Sequence, residues 1–288
     1  MENKKEVWTI QTILNWTRQY FADKGVENPR LDAEVLLSHI LRKERLYLYV
    51  HFDQPLEEQE LITFREAVKK RASRMPVAYI LGVKEFMGLD FEVTPAVLIP
   101  RPDTEILVET ALNRLAEREQ PCILDIGTGS GAICVSMLAN LPTATGVTVD
   151  ISSEAIAVAK RNADRHQVAN RLAFCHGDLF SPVEGQVFTA ILSNPPYIPE
   201  DDISGLTPEV RKEPNLALAG GKDGLDFYRR IVTEGRKYLV PGGFIAMEVG
   251  INQAQLVAAM AEGTGDYKVS EIVKDYGGIE RVVVLEGL

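Results

Sequence analysis

Cys122-Ile-Leu-Asp-Ile126 runs straight into Gly127-Thr-Gly129-Ser-Gly131 and then Ala132-Ile-Cys-Val-Ser-Met-Leu-Ala139. The first piece is short and apolar, as a buried strand is; the last carries no glycine or proline, which predicts a helix. Glycines between them allow a tight turn, a close backbone approach to a ligand, and free amides at the helix start aimed at it. The next apolar run, Gly146-Val-Thr-Val-Asp150, ends in an acid 19 positions beyond Gly131. In a strand–loop–helix–strand unit that is where a ribose-binding carboxylate stands. A nucleotide-like cofactor is therefore implied, held by Gly127, Thr128, Gly129, Ser130 and Gly131, with Asp150 on its ribose. Asp150 also suits an ordinary strand end or the cap of the helix that follows. Gly127, Gly129 and Ala132 fit G-x-G-x-x-A as well, so the loop alone does not separate a nicotinamide cofactor from S-adenosylmethionine.

The rest of the chain extends this unit into a layered α/β domain. From Pro121 onward strands are expected at 122–126, 146–150, 171–175, 187–193, 243–249, 267–273 and 281–286, alternating with helices as in a doubly wound parallel sheet. The last pair should form an antiparallel edge. Before them, residues from about Thr9 to Ser73 carry helical apolar spacing (Ile10, Ile13, Leu14; Leu31, Val35, Leu36, Ile40; Leu61, Phe64, Val68), which predicts a small helical bundle. Between the two, Val77–Leu81 and Leu89–Val93 read as strands, with a hairpin turn at Met87-Gly88. The predicted organisation is a helical domain over 1–75, a β-hairpin linker over 76–102 and a cofactor-binding domain over 103–288.

At 288 residues the chain is long enough for two domains. Its net charge of −10 argues against a broad electrostatic footprint for nucleic acid and favours a protein or small-molecule acceptor. Cys122, Cys134 and Cys175 lie in apolar, strand-like settings and read as reduced core residues, and the four histidines stand singly, so no zinc site is expected. Met1–Glu6 lacks an apolar signal core and no later run is long enough to span a bilayer, which predicts a cytoplasmic protein.

A second motif assigns chemistry. Phe188-Thr-Ala-Ile-Leu-Ser193 is an apolar run ending in Asn194-Pro195-Pro196-Tyr197. Two prolines fix φ and remove two backbone donors, leaving a rigid extended corner with free carbonyls. The Asn194 side-chain oxygen and the Pro195 carbonyl can both accept hydrogens from one planar amino or amide group, while the Tyr197 ring covers its face. Two acceptors stabilise positive charge developing on that nitrogen, which suits N-methylation. A turn that merely ends a strand is the plain alternative for the tetrapeptide taken alone. Beside a nucleotide loop the corner favours a methyl donor, because hydride transfer has no use for it.

Four segments then carry a resemblance: Val97-Leu-Ile-Pro-Arg-Pro-Asp-Thr-Glu105, Leu124-Asp-Ile-Gly-Thr-Gly-Ser-Gly131, Ser193-Asn-Pro-Pro-Tyr-Ile198 and Glu213-Pro-Asn-Leu-Ala-Leu-Ala-Gly-Gly-Lys-Asp-Gly-Leu225. Over essentially its whole length the chain resembles the release factor glutamine methyltransferases of the HemK type. The resemblance implies a seven-stranded Rossmann-like methyltransferase domain after a helical substrate-recognition domain. It also implies S-adenosylmethionine as donor, and as acceptor the side-chain amide of the glutamine in the Gly-Gly-Gln loop of peptide chain release factors. By the same resemblance Asp178 is the adenine-side acid with Leu179 near the base, Asn194–Tyr197 is the substrate clamp, with Asn194 also beside the cofactor, and Arg101 and Glu105 line the pocket entrance. From sequence alone Asp178 is equally a turn residue, and Arg101 and Glu105 can form a solvated ion pair of little energetic weight. Asp103 stands where many members carry glutamate. The ribosomal-protein glutamine methyltransferases share the corner but not the Arg101–Glu105 stretch; adenine amino-group methyltransferases of nucleic acid are the other alternative. Gly220-Gly221 and Asp223-Gly224 read either as a flexible loop or as a lid.

Overall fold

A computed structural model describes residues 7–288; Met1–Glu6, read above for the lack of a signal core, lies outside the described residues. Among the described residues no helix is long and apolar enough to cross a membrane. The chain divides into two compact units, one running to Gly82 and including Pro208–Lys212, the other made of Val83–Thr207 and Glu213–Leu288.

The first unit is helical: α1 (Ile10–Asp23), α2 (Pro29–Leu41), α3 (Arg45–Val50), α4 (Glu58–Ala72) and α5 (Val77–Leu81). A capping box starts α1, with the Thr9 hydroxyl accepting from the Thr12 amide and the Thr12 hydroxyl accepting from the Thr9 amide. Most of the predicted apolar spacing packs: Ile10, Ile13, Leu36, Phe64 and Val68 are buried in one cluster, joined by Phe21 and Leu37, whereas Leu31 is exposed. Arg71 of α4 is also buried, and its guanidinium pairs with Asp32 at 2.7 Å and Glu209 at 2.8 Å. Burial alone would raise the Glu209 carboxyl, but hydrogen bonds from Arg74 and Arg71 outweigh it and hold the group at about 2.

Val77–Leu81 was expected to be a strand and is helical instead. A five-residue apolar run carries no alternation to mark a strand, so its surroundings decide. Val77, Ile80 and Leu81 fall on one helical face and pack against the bundle's core, and Gly82 ends the helix in the left-handed conformation.

The second unit opens with the hairpin β1 (Val83–Phe86) and β2 (Leu89–Glu92), turning through Met87 and Gly88 with φ of 52° and 72°. Two positive φ values make the turn whose twist matches a two-residue hairpin. There follow α6 (Pro102–Leu115), β3 (Cys122–Ile126), α7 (Ala132–Asn140), β4 (Thr145–Asp150), α8 (Ser153–Arg165), β5 (Leu172–His176), β6 (Phe188–Ser193), α9 (Asp226–Gly235), β7 (Leu239–Glu248), α10 (Ala254–Thr264), β8 (Tyr267–Lys274) and β9 (Glu280–Gly287).

The seven strands from β3 onward form one sheet in the order β5-β4-β3-β6-β7-β9-β8, parallel from β5 to β7, with β9 antiparallel to both of its neighbours. Two apolar layers cover it. Side chains of α6 and α7 pack with Ile123, Ala190 and Val284 on one face, and those of α9 and α10 with Leu124, Ile191 and Val283 on the other. Neighbouring strand residues thus face opposite layers. Strand order reverses between β3 and β6, and in such sheets ligands bind outside the carboxyl ends of the strands at that switch point.

Candidate active site

Ile126 pairs with Ser193 at the ends of β3 and β6, so the glycine loop and the proline corner leave the sheet side by side. They share a cavity of about 430 Å³. Gly127, Thr128, Gly129, Ser130, Asp150, Asp178, Leu179, Asn194, Pro195, Pro196 and Arg101 all line it.

The loop's glycines divide into two kinds. Gly127 and Gly129 have φ of +81° and +51°, and an added Cβ would meet nothing within 4 Å, so they shape an open cradle. Gly131 lies outside the lining; a Cβ there would come within 3.1 Å of the Ala159 side chain. Gly131 thus lets α7 and α8 pack closely. Asn162 secures the neighbouring turn, its amide donating to the carbonyls of Ser130 (2.8 Å) and Glu92 (3.0 Å).

Asp150 ends β4 with one carboxylate oxygen accepting from the Gly129 amide at 2.9 Å and the other from the Ser152 amide at 2.8 Å. The cap of α8 is Ser152 rather than Asp150. Each carboxylate oxygen retains a further lone pair, enough for sugar hydroxyls. Asp178 faces the same cavity and accepts from Arg230 at 2.7 Å. Leu179 beside it has a φ of +47°, unusual for a side chain of that size and the kind of strain that gathers at ligand clamps. Apolar walls from Ile133, Ile151, Leu179 and Phe227 complete a surface fitted to a purine. An open glycine cradle, a strand-end carboxylate and an apolar slot with an acid at its rim match the groups of S-adenosylmethionine.

On the other side stands the corner. Asn194 donates from Nδ2 to the Thr104 hydroxyl at 3.0 Å, and Thr104 donates to the Glu248 carboxylate at 2.6 Å. Burial pushes the Glu248 carboxyl up to about 7, while the Thr104 hydrogen bond works to lower it. Asp125, wholly buried on β3 behind the glycine loop, is also pushed up to about 7 by burial, opposed by the Thr148 hydroxyl. Tyr197 does not line the cavity. Its ring packs in the α9–α10 layer and its hydroxyl is pushed up to about 12, by burial and then by Glu248.

Arg101 and Glu105 do not pair. Arg101 precedes α6 with extended backbone, which takes it off the helical face that would bring residues four apart together. Its guanidinium pairs with Glu213, whose other oxygen accepts from the Ile99 amide at 3.0 Å, so that Glu213 fastens the 95–101 wall of the cavity. Glu105 lies outside the lining and accepts from the Met87 amide at the hairpin turn, 2.7 Å away. Asp103 pairs with Arg281 at 3.0 Å.

The glycine-rich stretch before α9 is stitched to the corner. Ile198 exchanges backbone hydrogen bonds with Leu218 and Gly220, and Gln253 donates to the carbonyls of Tyr197 (3.0 Å) and Gly224 (3.3 Å). Thr104, Glu213, Glu248 and Gln253 were not singled out in the sequence. Thr104 and Glu213 sit inside motif segments, and Glu248 is an acid closing an apolar strand; for Gln253 the sequence carries no signal.

Two family models match: the PrmC N-terminal domain over residues 12–82 and the methyltransferase small domain over residues 102–207. The chain is 51% identical over 284 residues to the release factor glutamine methyltransferase of Geobacter sulfurreducens, covering 98% of each chain. It is 42% identical over 273 residues to that of Moorella thermoacetica, covering 95% of this chain and 96% of the relative. Among solved structures a methyltransferase from Pyrococcus furiosus shares the fold, with a TM-score of 0.54 at 22% identity over 80% of this chain and 98% of the other. With near-complete coverage at such identity, and with the cradle and the corner meeting at one switch point, the chain belongs to the release factor glutamine methyltransferase family.

Proposed function

We propose that the chain methylates the side-chain amide nitrogen of the glutamine in the Gly-Gly-Gln loop of peptide chain release factors, in the cytoplasm, with S-adenosylmethionine as donor. The observation that carries this reading is the Ile126–Ser193 register, which sets the cofactor cradle and the amide-accepting corner in one cavity. Gly127–Ser130 and Asp150 hold the loop and ribose side of the donor, and Asp178 and Leu179 its base. The bound donor supplies an electrophilic methyl group.

A primary amide nitrogen is a poor nucleophile because its lone pair is delocalised into the carbonyl. Asn194 Oδ1 and the Pro195 carbonyl, accepting its two hydrogens, favour density and positive charge on that nitrogen. Holding it at a fixed place beside the donor contributes on the order of several kcal/mol. Tyr197 acts as the wall behind the corner. A backbone carbonyl or water takes the proton afterwards.

The N-terminal domain, residues 1–75, recognises the protein substrate, a role supported by the exposed Leu46, Val50 and Phe52 and by cofactor motifs that all lie beyond residue 120. The net charge of −10 supports a protein acceptor without direct nucleic acid binding. Incubation with labelled donor and, separately, release factor, ribosomes and DNA tests the reading. Label on the release factor glutamine, absent from a Gln→Asn acceptor, is expected; label on ribosomal protein or DNA and none on release factor refutes it.

A further inference from the structure

Glu248 is 2% exposed at the end of β7, and Thr104 is 5% exposed in the first turn of α6. A carboxyl so placed is costly unless it is hydrogen-bonded. Its side chain reaches the corner through one hydroxyl, in the chain Asn194 Nδ2 to Thr104 Oγ1 to Glu248 Oε2. Asp103 and Arg281, paired at 3.0 Å, stand near Glu248 together with Arg101, Tyr197 and Tyr228.

The direction of these bonds matters. A threonine hydroxyl has one proton, and the ionised Glu248 carboxylate, which can only accept, takes it. Thr104 is left as an acceptor toward Asn194 and bonds only the NH₂ end of that amide. Asn194 must then offer its oxygen to the cavity. Were the Thr104 proton free, it would bond Asn194 Oδ1 equally well, and the amide would turn its NH₂ toward an incoming primary amide whose nitrogen carries only donors.

We propose that Thr104 and Glu248 are positioning residues that hold the Asn194 amide oxygen-first toward the substrate, an inference that rests on the reading of Asn194 as the acceptor for the glutamine amide. The relay selects a group with donors to give, an amide or amine nitrogen, over one that offers only acceptors.

The test uses the full-length chain with release factor and S-adenosylmethionine. Thr104→Val keeps the shape and removes the hydroxyl; its saturated kcat should fall about tenfold, the loss of one oriented hydrogen bond, with the donor dissociation constant within about twofold of wild type. Thr104→Ser should recover most of the turnover. Glu248→Gln, which keeps an acceptor for the Thr104 proton, should retain more activity than Glu248→Met. In an Asn194→Ala background Thr104→Val should cost nothing further. If Thr104→Val lowers only the melting temperature while kcat stays at wild type, or if its loss adds in full to that of Asn194→Ala, the relay is overturned and the clamp stands. Wild-type turnover in Asn194→Ala itself overturns the clamp and the relay with it.

Discussion

Gly224→Ala separates two readings of the glycine-rich stretch that precedes α9, because they give opposite signs. If the stretch were a flexible connector, alanine would restrict the unfolded chain and stabilise the protein by about 0.4–1 kcal/mol. The structure requires the reverse. Gly224 has a φ of +76°, and its added Cβ would lie 2.3 Å from the Tyr197 carbonyl oxygen and 2.8 Å from Gln253 Nε2. The left-handed conformation costs an alanine roughly 1–2 kcal/mol. Because the first of those atoms is backbone, the loop must shift and loosen the Gln253 bonds to Tyr197 and Gly224, about 1 kcal/mol each. A destabilisation of about 3–4 kcal/mol follows from these contributions. Gly263 in α10 is the control: its Cβ would meet nothing within 4 Å, and Gly263→Ala should stabilise by roughly 0.5–1 kcal/mol. Urea unfolding followed by far-ultraviolet circular dichroism reports on the whole chain, whereas both tryptophans, Trp8 and Trp16, lie in the helical unit and report on it alone. A dichroism midpoint for Gly224→Ala equal to or above wild type would refute the stitched-loop reading.

Asn194→Ala should lower saturated turnover by about a hundredfold to a thousandfold, roughly 3–4 kcal/mol, with little change in donor affinity by calorimetry; a hundredfold weaker donor with normal turnover would make Asn194 a cofactor ligand instead. Tyr197→Phe should keep most activity because the ring packs and no role falls to the hydroxyl, whereas Tyr197→Ala opens a void worth about 3 kcal/mol and loosens the corner; equal losses in kcat would show the reverse. Glu209, held at about 2 against an ordinary 4.5, contributes stability that is present above pH 4.5 and disappears as the pH falls through 2, so Glu209→Gln should flatten the acid limb of tryptophan-detected unfolding. Glu248, raised from 4.5 to about 7, has the opposite sign: the native state holds a proton the unfolded chain has released, so stability declines between those values, and Glu248→Gln should reduce that decline in dichroism-detected melts.

What the chain's own order of residues determined is local. Apolar runs of strand length, glycines at the β3 turn and prolines after β6 act through φ, missing donors and the alternation of side chains, all of which a few neighbouring residues settle. That is why six of the seven sheet strands lie within a residue of their expected limits, with β7 starting earlier, and why the cradle and the corner were recognisable before any packing was known. Val77–Leu81 marks the limit of such reasoning, since a short apolar run takes whichever periodicity its neighbours can bury. The site's support was not legible, because it joins residues far apart in the chain: Thr104 to Glu248, Arg101 to Glu213, Gln253 to Tyr197 and Gly224. These partners meet only when a parallel sheet sets the carboxyl ends of β6 and β7 beside each other and brings α6 against them. No periodicity encodes that meeting, for it is the folded sheet that brings buried polar groups within reach of one another, and the cost of leaving them unpaired that then selects their partners.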